Sequence, residues 1–73
     1  MNAIEIKKLI QAGLPDATVE VLGDDGQHFD AIVESPSFAG KPLLAQHKMV
    51  YATLGDSFES ALHALSLKTS APQ

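Results

Sequence analysis

The chain has 73 residues, 45% of them hydrophobic and 19% charged, with no cysteine and a formal net charge of −4. A chain this short folds as one domain that buries only about 60% of its unfolded surface, here without disulfides and without a thiolate of its own. Five scattered lysines (Lys7, Lys8, Lys41, Lys48 and Lys68) and no arginine disfavour nucleic acid as a partner, and no apolar run reaches the roughly 18 residues of a membrane span.

The stretch NAIEIKKLIQAGLP predicts a helix with both ends marked. Asn2 and Glu5 have capping-box spacing, and Ala3, Ile6, Leu9 and Ile10 share one stripe. Gly13 is expected in the left-handed conformation that closes a helix, and Pro15 blocks continuation. ATVEVL and QHFDAIVE then alternate around the turn-rich GDDG, which predicts an antiparallel hairpin. In the second strand Phe29, Ala31 and Val33 fall on one face, and His28, Asp30, Ile32 and Glu34 on the other.

SPSFAGKP is a loop by composition. LLAQHKMVYATL predicts a second helix, with Pro42 suited to its first turn and Gly55 ending it. Its expected inward stripe is Leu43, His47, Val50 and Leu54, flanked by Leu44 and Tyr51. Asp56 and Glu59 repeat the capping-box spacing and predict a short helical turn, SFESAL. HALSLKT alternates as a third strand. The domain spans 1–70, with 71–73 a loose tail.

The element order is α-β-β-α-(α)-β. The last strand follows a helical crossover, and such connections join parallel strands. The expectation is an α+β two-layer domain, a three-stranded mixed sheet with helices on one face.

Parallel pairing of the second and third strands puts their N-terminal ends at one edge. His28 opens one strand and His63 the other, and two imidazoles at one end form half of a tetrahedral metal site. A histidine at a strand start is as readily a surface or capping residue, so the spacing leaves both readings open. The apolar stripe around His47 favours a hydrogen-bonded imidazole at the helix–sheet interface over a ligand.

Catalytic patterns are weaker. Ser57, Ser60 and Ser66 stand near His63 in sequence, but there is no GxSxG elbow, GxGxxG, P-loop or HExxH. Asp24 and Asp25 read as solvated turn residues, and GDDGQ lacks the further oxygens of an EF-hand loop. The pattern points away from an enzyme. No basic n-region and apolar h-region open the chain, so a cytoplasmic location is expected.

The segments GDDGQHFD, FAGKPLLAQHKMVY and LHALSLKT, in this order and spacing, resemble the BolA-like family from about residue 3 to residue 70. The resemblance implies a fold related to type II KH domains. It also implies a partner, a monothiol glutaredoxin with a CGFS motif, forming a heterodimer around a bridging 2Fe–2S cluster. The glutaredoxin and glutathione would supply sulfur, His63 the histidine ligand that opens the last strand, and His28 a second ligand of the histidine type. Two imidazoles in place of thiolates raise a cluster's reduction potential. Neutral imidazole is the ligating form, so binding should weaken as pH falls through about 6.5. The chain departs from the family at Gln46, where an arginine is common, and it stops at SAPQ where many members continue. A weak homodimer is compatible with the resemblance. A KH-like regulator that binds nucleic acid is the alternative function, disfavoured by charge and by the single glycine of TLGDSF where a GXXG loop would lie.

Overall fold

The computed structural model describes residues 2–23, 28–55 and 65–72. The predicted turn at Asp24 and Asp25, the helical turn at Asp56 and Glu59, and His63 lie outside the described residues.

Helix α1 (Ala3–Gly13) begins as its cap predicts: the Glu5 backbone N–H donates to Asn2 Oδ1 at 2.9 Å. The Asn2 side-chain amide also donates to Glu5 Oε1 at 3.3 Å, a contact between side chains. Its C-terminus differs from expectation. Leu14 is the C-cap at φ −129°, and Gly13 is the last helical residue with no positive φ. Gly13 serves packing instead, because a Cβ there would overlap the Thr53 methyl of the second helix and lie 2.8 Å from Thr53 Cβ.

Strands β1 (Thr18–Leu22) and β2 (Phe29–Glu34) pair antiparallel, with Val19 opposite Val33 and Val21 opposite Ala31. Strand β3 (Leu65–Ser70) lies parallel to β2, in the order β1-β2-β3. Phe29, Ala31 and Val33 are buried and their alternating neighbours exposed, as period-two reading requires. Helix α2 (Leu43–Leu54) follows Pro42, which sits at the N-cap rather than in the first turn, and ends at Gly55 with φ +55°. Ile6 and Ile10 of α1 with its C-cap Leu14, Val50 and Leu54 of α2, and the inward side chains of the sheet form one core. The result is the two-layer α+β domain with a mixed sheet.

Two segments differ from the sequence reading. SPSFAGKP contains a 3-10 turn, Pro36–Phe38, capped by the Ser35 hydroxyl and burying Phe38 completely. The inward stripe of α2 is Gln46, Val50 and Leu54, while Leu43 and Leu44 are 62% and 67% exposed. His47 is half-buried, and Gln46 fills the polar inward position. An amide can be buried there because it can both donate and accept. Gln46 Nε2 donates to the Lys41 carbonyl at 2.7 Å and the Phe38 carbonyl at 3.4 Å, and Oε1 accepts from the Thr69 hydroxyl at 2.6 Å.

Candidate metal centre at the strand-start edge

The parallel ladder pairs Phe29 with Leu65, so β2 and β3 begin at the same edge of the sheet. Both residues are buried, which anchors the two strand starts in the core. Gly23 closes the hairpin side of this edge. A Cβ at Gly23 would stand 2.6 Å from both the His28 carbonyl oxygen and Phe29 Cδ1, so only glycine permits the approach.

His28 immediately precedes Phe29 and is exposed. His63 precedes Leu65 by two positions in the chain. The structure therefore brings the two strand starts together and places His28 at that edge; the position of His63 falls outside the described residues. Among the described residues no group of three His, Cys, Asp or Glu is placed to hold a metal ion.

The donor chemistry fits a shared site. A 2Fe–2S cluster takes four protein-side ligands, usually thiolates. This chain has no cysteine, so the ligands it could give such a cluster are imidazoles, as at positions 28 and 63. Beside this edge, on the face of the sheet away from the helices, Leu22, Asp30, Ile32, Ser66 and Lys68 line a shallow depression. Leu22 is 50% and Ile32 41% exposed, which gives the edge an apolar flank.

One polar node escaped sequence reading. The Asp16 carboxylate accepts from the Ser35 hydroxyl at 2.7 Å and the Ser37 hydroxyl at 2.6 Å. The Ser37 bond first, then the Ser35 bond, holds the Asp16 pKa below the usual carboxylate value. The Ser35 hydroxyl also accepts from the Ser37 backbone N–H, and the Ser35 N–H donates to the Ser70 carbonyl. The Ser-Pro-Ser spacing around the 3-10 turn was the available signal. Partner identity across 19 and 21 positions was not.

Comparison with known proteins agrees with this architecture. The family model described as BolA-like protein matches residues 4–73. A solved BolA homologue from Coxiella burnetii superposes with a TM-score of 0.84 at 42% identity, covering 99% of this chain and 92% of that one. SufE-like protein 1 of Arabidopsis thaliana, chloroplastic/mitochondrial, is 43% identical over 51 residues, 68% of this chain but 14% of that protein. The DNA-binding transcriptional regulator BolA of Escherichia coli is 38% identical over 42 residues, 58% of this chain and 40% of its own length. The chain thus spans well under half of either of these two curated relatives, whereas it nearly covers the Coxiella protein. By the extent of the family match and the shared fold, this chain belongs to the BolA-like family.

Proposed function

We propose that this chain is a non-enzymatic, cytoplasmic adaptor that pairs with a CGFS monothiol glutaredoxin and shares a 2Fe–2S cluster with it, in the trafficking of such clusters or the sensing of iron. The observation that carries the reading is the in-register parallel pairing of Phe29 with Leu65, because it gives the strands that follow His28 and His63 a common starting edge. The two imidazoles hold one side of the cluster, and the glutaredoxin and glutathione cysteines hold the other. The bound cluster supplies one-electron chemistry and two iron sites to be passed on. In this reading the chain's own contribution is two imidazole nitrogens, one from His28 and one from His63.

The test mixes purified protein with cluster-loaded glutaredoxin under anaerobic conditions and records visible circular dichroism. A new spectrum on mixing, lost or altered in His63→Ala and weakened in His28→Ala, supports the assignment. A His63→Ala spectrum and affinity identical to wild type overturns it.

The similarity to the DNA-binding transcriptional regulator BolA of Escherichia coli favours a second reading, regulation through DNA. Five lysines against nine carboxylates count against it in this chain. Steep, salt-dependent duplex binding would establish that reading, and a flat, millimolar response would end it.

A further inference from the structure

The strand-start edge leaves the far end of the domain without a role. The chain carries nine carboxylates and residues 35–55 contain none, although Glu34 ends β2 and Asp16, engaged by Ser35 and Ser37, lies at this end of the sheet. Within this stretch Lys41 and Lys48 are exposed, as are Leu43 and Leu44 in the first turn of α2. Leu44 and Lys48 are i, i+4 neighbours on one helix face. Pro42, the N-cap of α2, makes no side-chain cap bond to the first turn.

Two contacts locate this patch. The Thr69 hydroxyl reaches Gln46, and the Ser35 N–H donates to the Ser70 carbonyl, so the beginning of α2 lies beside the C-terminal ends of β2 and β3. Five strand steps of about 3.3 Å, roughly 16 Å, separate that end from Leu65. The patch and the strand-start edge are opposite ends of one sheet.

We propose that the first turns of α2 dock an acidic, amphipathic segment of a second partner protein, at a surface separate from the strand-start edge. The segment's carboxylates meet Lys41 and Lys48, and its apolar side chains cover Leu43 and Leu44. A phosphate backbone would engage the lysines and leave both leucines in water. A lipid surface gains little from two leucines and two lysines. A second copy could offer Glu20, Asp30, Glu34 and Ile32 on its open sheet face, but that contact is head-to-tail and would build a ring or an open filament rather than a two-fold dimer. Charge and apolar exposure together therefore assign a distinct, acidic protein.

The experiment titrates isotope-labelled full chain with a synthetic helical peptide of Leu, Glu and Ala, followed by amide shifts, beside parallel titrations with a short DNA duplex and with phosphatidylcholine–phosphatidylserine vesicles. Shifts should concentrate between residues 41 and 52. The pair Lys41→Glu/Lys48→Glu, and separately Leu43→Ser/Leu44→Ser, should weaken peptide binding about tenfold or more. Ile4→Ser, a 67% exposed position on α1, should leave it unchanged. Because both leucines are exposed, an unchanged thermal melt separates lost docking from lost folding. The proposal is overturned by peptide shifts on the open sheet face or none at all, by affinity indifferent to the leucines, by tighter binding of duplex or vesicles, or by self-association that accounts for the same shifts.

Discussion

Phe29 and Leu65 are Cα partners across the parallel β2–β3 ladder, 4% and 7% exposed, and their pairing anchors the edge that carries His28. Leu65→Ala removes a core side chain at the first ladder position and should cost about 2–4 kcal/mol. Leu67→Ala, one core-facing step further and half-buried, should cost less. Urea denaturation of both variants measures the order. Equal or reversed costs would mean that the strand start is not the better-anchored position.

Gln46 bridges three elements, and its replacement separates donors from acceptor. Gln46→Leu strands the Lys41 carbonyl and the Thr69 hydroxyl, with an expected loss of about 1–3 kcal/mol. Gln46→Glu keeps the acceptor for Thr69 but sets carboxylate oxygens against carbonyl oxygens in a buried position. At neutral pH it should be the worse of the two, and it should recover as acid protonates the new carboxyl. Denaturant midpoints at neutral and mildly acidic pH decide this. A glutamate variant as stable as wild type at neutral pH would show that the amide donors are dispensable.

Most of the architecture was legible from period and punctuation. Strict alternation in residues 29–34, an Asn-x-x-Glu start and a helical crossover specify mixed pairing without any knowledge of contacts. The errors came where one residue type serves two physical ends. Gly13 looked like a helix terminator, but its value is the absence of a Cβ against Thr53. The expected stripe of Leu43, His47, Val50 and Leu54 omits Gln46, yet its three bonds satisfy it inside. His28 could be placed at the strand-start edge because register follows from the hydrophobic pattern. The Asp16 node could not be found this way, since it depends on loops meeting in space.

Gly13 gives a case in which two effects oppose. In an exposed helix, Gly→Ala gains up to about 1 kcal/mol. Here the added methyl would meet Thr53, whose rotamer is held by a 2.6 Å bond from its hydroxyl to the Val50 carbonyl. The clash should win, so Gly13→Ala loses about 1–2 kcal/mol. Thr53→Ser removes the nearer methyl but keeps a Cβ 2.8 Å from the added one, so Gly13→Ala/Thr53→Ser should recover part of the loss. A double-mutant cycle in thermal melts reads the coupling, and purely additive effects would place the cost elsewhere.

Acid should release the Asp16 node. Its carboxylate accepts from Ser37 and Ser35 in the folded state, which lowers its pKa from the ordinary 3.8. A carboxyl whose pKa is depressed on folding binds fewer protons in the native state, so its contribution is complete above the unfolded value. It is lost as pH falls from about 3.8 through the lower folded value, and pH changes near neutrality leave it untouched. Asp16→Asn cannot titrate and should be less stable than wild type at neutral pH, with the gap narrowing on acidification. Urea melts of both proteins from about pH 6 down to about pH 2 measure that gap. Two curves that stay parallel over the whole range would show that the serine hydroxyls do not favour the charged form.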